Sequence, residues 1–323
     1  MAAHPSAEPA LQTQAINGIQ MRWAAQGHGP LVLLCHGFPE GWVSWRSQLA
    51  ALAAAGYRAV APDMRGYGGT DAPADPARYT MLHHVGDMVA LVHALGEDQA
   101  VIVGHDWGAP TAWLSALLRP EVFRAVVGLS VPYAPPGPLD LLTALERHGI
   151  HTFYMQYFQT PGVAEAELQA DVAATMRRIT FSLSGDGAGG VAGVLAEGRG
   201  FLHNTEDPAQ MPSWVNAADL AYVIDEFRRT GFRGGLNWYR AIRASWELLA
   251  PWRGAVIRQP SMFVGGSRDD VLKFPNSRAS IDNFPRTLPG LRSSHILEGA
   301  GHWIQRERAD EVNALLLAFL RSL

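Results

Sequence analysis

The sequence predicts an α/β fold, a mostly parallel sheet flanked by helices on both faces and interrupted by one inserted helical segment. Three observations carry this. Between residues 30 and 130 short β-branched apolar runs alternate with stretches of helical period. From about Pro132 that alternation stops, and helical segments rich in aromatic residues follow. It returns at "PSMFVGG" near residue 260 and runs on through "SSHILEG" to the amphipathic "RADEVNALLLAFLRSL".

Taken in order, residues 1–12 read as a flexible tail. Residues 13–25 alternate around Asn17-Gly18, a dipeptide preferred in two-residue hairpins, so two antiparallel strands open the fold. "LVLLC" is apolar without interruption, as expected of a strand covered on both faces. "WRSQLAALAAAG" is a helix closed by Gly56, "YRAVAPD" a strand, and "YTMLHHVGDMVALVHALG" a second helix. His83, His84 and His93 on that helix lack an H-E-x-x-H or carboxylate-supported pattern, and read as a solvated face and not a metal site. "VIVGHDWGAP" runs from a strand through a tight turn into a helix, and "RAVVGLS" is the next strand. "PYAPPGPLD" opens the insert, so residues 134–250 are expected as a helical cap between two parts of one core, 13–133 and 251–323. Inside the cap the glycine-dense "SGDGAGG" reads as a mobile loop.

The 323 residues, 48% of them hydrophobic, supply the core of one large domain. A net charge of -4, with 17% charged residues and no Lys/Arg run, leaves no electrostatic footprint for nucleic acid or an anionic membrane. The single Cys35 excludes an intramolecular disulfide or a multi-cysteine zinc site, and packing within "LVLLC" accounts for it. "MAAHPSAEPALQ" lacks the basic start and apolar stretch of a signal peptide, and no segment has the apolar length of a membrane span, so the expected compartment is the cytoplasm. Gly66-Tyr67-Gly68-Gly69 matches neither a dinucleotide fingerprint nor a P-loop, and no cofactor or metal is implied. Nothing in the sequence speaks to oligomeric state.

In open α/β sheets, ligands bind beyond the carboxyl ends of the strands. Polar residues directly after strands are therefore the candidates: His36-Gly37-Phe38-Pro39, Asp106, Asp269-Asp270 and His302. Asp106 is the centre of Gly104-His105-Asp106-Trp107-Gly108, a G-x-D-x-G version of the nucleophile elbow, and the order nucleophile, acid, histidine is that of the α/β-hydrolases. An aspartate, with an ordinary pKa of about 4, is ionised at neutral pH and attacks without a base. His302 is then free to activate water against the resulting ester, oriented by one of the two adjacent acids. The backbone N–H groups of Phe38 and Trp107 are placed to form an oxyanion hole, to which Pro39 contributes no donor. His36 and His105 read as hydrogen-bonded structural neighbours.

Through "HGFPEGWVSW", "DMRGYGGTDAP", "GHDWGA", "YMQYFQTPGVAEAEL", "GGLNWYR" and "GHW" the chain resembles the epoxide hydrolases of the α/β-hydrolase fold, over nearly its whole length after the tail. "HGFP" and "GHW" are shared with dehalogenases and C–C bond hydrolases; the two tyrosine-bearing motifs discriminate. The resemblance implies a cofactor-independent hydrolase that converts a small hydrophobic epoxide and water to a vicinal diol. It maps the proton-donating phenols onto Tyr154 and Tyr239, makes Tyr157 a packing residue, and through "DDVL" favours Asp269 over Asp270. Phe38, Trp107, Met155, Phe158, Trp238 and Trp303 are expected in the pocket wall. A haloalkane dehalogenase would want an Asn where this chain has Phe38, and a fluoroacetate-type enzyme an Arg where it has Trp107. A ligand-binding relative without chemistry is the third reading, and the intact set of acid, base, nucleophile and phenols argues against it.

Overall fold

The computed structural model describes residues 8–323, so most of the expected flexible tail, residues 1–7, lies outside the described residues. Eight strands, β1 Ala10–Ile16, β2 Ile19–Gln26, β3 Leu31–Cys35, β4 Arg58–Pro62, β5 Ala100–His105, β6 Phe123–Leu129, β7 Ser261–Gly266 and β8 Leu291–Leu297, form one sheet in the order β1-β2-β4-β3-β5-β6-β7-β8. β1, β2 and β4 pair antiparallel, and every pair from β4 onward across the sheet is parallel. This is the α/β-hydrolase architecture, and it agrees with the alternation of apolar runs in the sequence. Asn17 and Gly18 make the first turn, both with positive φ, as a two-residue hairpin requires.

The first strand begins earlier than expected. β1 begins at Ala10, and Ala10, Leu11 and Gln12 pair with Ala25, Ala24 and Trp23. All but the last residue of this edge strand are exposed, so no apolar alternation marked where it starts.

The helices α1 Arg46–Ala54, α2 Met81–Ala94 and α3 Gly108–Leu118 connect the parallel strands. Between β6 and β7 the chain leaves the sheet for α4 Leu141–Arg147, α5 Tyr154–Tyr157, α6 Val163–Ala170, α7 Val172–Ser182, α8 Ala217–Thr230, α9 Arg233–Arg240 and α10 Ile242–Leu248. It then returns through α11 Asp270–Lys273, α12 Pro275–Asp282, α13 Phe284–Thr287, α14 Ile304–Glu307 and α15 Ala309–Arg321. α2 packs on α3 and α1 on α15. Strands β3, β5 and β7 are buried at every position, which is why they read as unbroken apolar runs.

Two sequence expectations fail here for one reason: contacts made far along the chain. His84 is not on a solvated face. It is fully buried, stacked at 3.4 Å on the indole of Trp238 from α9, and burial holds its imidazole well below the ordinary range, so it is neutral. His83 is partly buried and His93 exposed. The glycine-dense stretch, residues 184–190, is likewise not a free loop. Gly185 N–H donates to Glu307 (2.8 Å), Gly190 N–H to Asp270 (2.9 Å), and Arg268 donates to the Gly187 carbonyl (3.2 Å).

α9 is tied to the sheet side by a buried polar anchor. The Trp238 indole N–H donates to the carbonyl of Arg65 at 2.9 Å. The Arg65 guanidinium in turn forks onto Asp87 of α2, through Nε (2.8 Å) and Nη2 (2.5 Å), and Asn17 of the hairpin donates to the same carboxylate (2.8 Å). Both members of the ion pair are fully buried. Removing one partner leaves a buried charge uncompensated, which typically costs about 3–5 kcal/mol. Asp87→Ala is therefore expected to lower the urea midpoint by the equivalent of about 3 kcal/mol or more at unchanged m-value, whereas a loss under about 1 kcal/mol would show that the pair does not hold the anchor.

Candidate active site

β5 ends in the turn that carries Asp106. A Cβ on Gly104 would stand 1.9 Å from the Gly108 carbonyl oxygen, and one on Gly108 would stand 2.0 Å from that of Cys35, so only glycine lets the chain bend this sharply against β3. Asp106 itself sits at φ 51°, in the left-handed region. Such strain costs about 1–3 kcal/mol in a non-glycine residue and concentrates at functional sites. The bend lifts the carboxylate beyond the sheet edge, where Gly37 passes so close that a Cβ there would lie 2.2 Å from its Oδ1. That approach lets the Phe38 N–H donate to Oδ1 at 2.7 Å. Trp107, the next residue, is the N-cap of α3, at the helix end where backbone N–H groups have no intrahelical acceptor.

The other Asp106 oxygen, Oδ2, lies 3.5 Å from Nε2 of His302. Nδ1 of the same ring faces Oδ1 of Asp269 at 3.1 Å, and Asp269 also caps α11 by accepting from the Val271 N–H. Burial works to lower the His302 pKa, but the charges of Asp269 and Asp106 outweigh it and hold the imidazole well above its ordinary range. Burial likewise works to raise Asp269, and the His302 charge outweighs it, so that this carboxyl stays below its usual range. Asp270 points away, onto the N–H groups of Gly190 and Val191 where the glycine-dense stretch ends.

Two groups in this network escaped the sequence reading. Ser130 follows β6 at φ 69°, and its hydroxyl donates to Asp269 Oδ2 at 2.6 Å while standing 3.0 Å from His302 Nδ1. The run "RAVVGLS" reads Ser130 as the last residue of a strand, whereas β6 ends at Leu129 and leaves Ser130 as the first polar residue beyond it. Glu40, buried, accepts from the Gly37 N–H (3.1 Å) and from Gln305 (3.1 Å), and its Oε2 is 2.9 Å from His105 Nδ1. His105 then donates through Nε2 to the carbonyl of His302 at 2.7 Å. His36 accepts from the Met64 N–H through Nε2 (3.0 Å) and donates through Nδ1 to the Gly37 carbonyl (2.9 Å). The three loops are therefore bound to one another underneath the reacting groups.

Above Asp106 lies a cavity of about 600 Å³, lined by Asp106 with Trp107, Val131, Phe153, Tyr154 and Met155 among others, and mostly apolar. Tyr154, from the insert, and Tyr239, on α9, stand edge-on at 6.1 Å, and Tyr239 is also edge-on to Trp107 at 5.0 Å. Burial first, and the Asp106 charge second, push both phenols well above the ordinary range, so both hold their protons. Tyr157 spends its hydroxyl on Glu167 at 2.9 Å.

Of the six residues expected in the pocket wall, Trp107 and Met155 line this cavity; Phe38, Phe158, Trp238 and Trp303 do not. Phe158 stands one layer back, edge-on to Tyr154 (5.6 Å) and Tyr239 (4.9 Å), and Phe38 packs against both Phe158 and Tyr239. Trp238 serves the Arg65 anchor, and the Trp303 indole donates to the Thr180 carbonyl at 2.8 Å. An aromatic beside a site residue in sequence can equally brace it from behind, and composition does not distinguish the two.

Residues 30–182 match the family model of the alpha/beta hydrolase fold. An epoxide hydrolase of Caballeronia sordidicola is 43% identical over 309 residues, covering 95% of this chain and 92% of that protein. Epoxide hydrolase A of Mycobacterium tuberculosis is 43% identical over 312 residues, with 95% and 96% covered. Among solved structures, an epoxide hydrolase from an endophytic Streptomyces superposes with a TM-score of 0.93 at 46% identity, covering 98% of this chain and 96% of that one.

The two charges that raise His302 can be separated. Asp106→Asn neutralises one and leaves Asp269, so the ring should titrate above the histidine norm of about 6.5 in the unaltered protein and distinctly lower in the variant. Histidine-ring NMR reads both; an unchanged titration would contradict the electrostatic link between the two residues.

Proposed function

The chain belongs to the epoxide hydrolases of the α/β-hydrolase fold, and from that premise we propose that Asp106 opens the epoxide by direct attack, giving an ester that water activated by His302 then hydrolyses. One observation carries this reading. A single carboxylate has one oxygen on the Phe38 N–H, the other near His302 Nε2, and shares its cavity wall with the Tyr154 side chain.

In the first step an Asp106 oxygen bonds to an epoxide carbon as the C–O bond breaks. The developing alkoxide resembles hydroxide, whose conjugate acid has a pKa of about 15.7, and needs a proton to leave. Tyr154, backed by Tyr239, supplies it. The Asp106 charge is consumed in that step, which removes one cause that keeps these phenols weak acids and keeps His302 protonated. The phenolate left by ring opening takes up the proton that His302 then releases, and the neutral imidazole can accept a proton from water, which attacks the ester carbonyl of Asp106. The oxyanion forms on Asp106 itself, whose Oδ1 already accepts the Phe38 N–H, and the Trp107 N–H would add the second donor. On collapse, His302 passes that proton to the departing diol oxygen, and the second water proton moves from the new Asp106 carboxyl to His302, which restores the starting state of both.

Residues 134–250 act as a cap that brings the phenols over the elbow and, with apolar walls, excludes bulk water and favours a small hydrophobic epoxide. No helix among the described residues is long and apolar enough to cross a membrane, and the buried, unpaired Cys35 suits the reducing cytoplasm. Phe38 offers no side-chain donor to a halide, in keeping with epoxide over haloalkane chemistry.

Tyr154→Phe with Tyr239→Phe removes only hydroxyls. General acid catalysis is worth about 10² to 10⁴ in rate, so the double variant should lose at least about a hundredfold in epoxide turnover with its thermal unfolding little changed. Each single variant should retain part of the activity. A folded double variant at full speed would remove the phenols from the mechanism.

A further inference from the structure

The carboxylate next to the proposed triad acid has no part in that chemistry, yet it is buried and fully engaged. Asp270 Oδ1 accepts hydrogen bonds from the N–H of Gly190 (2.9 Å) and the Lys273 ammonium (2.7 Å), while Oδ2 accepts them from the N–H groups of Val191 (2.9 Å) and Ala192 (3.3 Å). Gly189 and Gly190, at φ 72° and 81°, turn the chain so that successive N–H groups converge on one anion. A Cβ on Gly189 would also crowd Lys273 Nζ (2.7 Å) and Asp270 Oδ1 (2.9 Å).

One residue past this arc, the Gly193 carbonyl accepts the backbone N–H of Tyr154 at 2.9 Å. Val194 bridges Phe153 antiparallel, and the Leu195 N–H donates to Thr152 at 2.7 Å. The helix that carries Tyr154, α5, is four residues long. A single turn has too few internal hydrogen bonds to hold itself, so external bonds decide where it stands. At its other end the same segment is fastened to the histidine loop: the Leu183 carbonyl accepts the His302 N–H at 2.9 Å, and Gly185 and Gly301 share Glu307 Oε2.

We propose that Asp270 is a positioning residue for ring opening: by gathering the backbone of residues 190–192 it fixes Gly193, and through it the Tyr154 phenol, relative to the elbow. This rests on Tyr154 being the proton donor of the proposed function. Two adjacent aspartates thus divide the labour, Asp269 orienting the base and Asp270 the acid, so that one loop sets both.

The test is a double-mutant cycle read step by step, with Asp270→Ala and Asp270→Asn each made in the unaltered chain and in Tyr154→Phe. Single-turnover measurements with excess enzyme separate ring opening from ester hydrolysis. Expected is a loss of about tenfold or more in ring opening for Asp270→Ala, shrinking to less than about twofold in the Tyr154→Phe background, with ester hydrolysis held within about twofold. Asp270→Asn keeps one acceptor oxygen, should fall between, and serves as the readout should Asp270→Ala not fold. The same fractional loss in both backgrounds, or a loss that falls equally on hydrolysis, would overturn the proposal and leave Asp270 as scaffold only. Tyr154→Phe with ring opening at full speed would overturn the proton-donor role, and this inference with it.

Discussion

One negative charge, that of Asp106, is the constraint on which the rest of the site depends. It stands among the causes that keep His302 protonated and both phenols undissociated, and it accepts the Phe38 N–H. Each neighbour is thereby held in the state that the first step needs. Alkylation would erase the charge and release them toward the state that the second step needs, so one bond formed changes the role of three groups without any of them moving.

Keeping that charge in place falls to the backbone. Glycines 37, 104 and 108 let three chain segments approach more closely than side chains would permit, and Asp106 is held in a strained conformation by the strand and helix on either side of it. Beneath it, Glu40 and His105 join the Gly37 turn to the His302 carbonyl, and Ser130 joins Asp269 to His302. The helices between β6 and β7 reach the same centre through Trp238 and Arg65 on one side, and through the glycine-dense segment on Asp270 on the other.

What could be read from the sequence was whatever has a local cause. The hairpin at Asn17-Gly18, the buried strands and the elbow follow from turn chemistry, apolar runs and glycine spacing. Other features depend on partners remote in the chain. His84 is buried because α9 covers it, and the glycine-dense stretch is held because Asp270 and Glu307, 80 and 122 residues away, bind its N–H groups. Side-chain direction was equally hidden. Phe158, Trp238 and Trp303 lie near site residues in sequence and brace them from behind, and the pair Asp269-Asp270 divides only when both carboxylates are seen with their partners. Ser130 was hidden by a one-residue strand boundary, since the apolar run before it extends the strand reading through the serine while β6 stops at Leu129.

The central claim is that Asp106, and not water, makes the first bond to the substrate. The direct measurement is a single turnover with enzyme in excess over epoxide, in water enriched in ¹⁸O, followed by mass spectrometry of the diol and of the peptide containing Asp106. Attack by the carboxylate predicts a first diol whose new oxygen is unlabelled, with the label appearing in Asp106. Label in the diol from that first turnover, with Asp106 unlabelled, would contradict it and reduce the aspartate to a base or an orienting group.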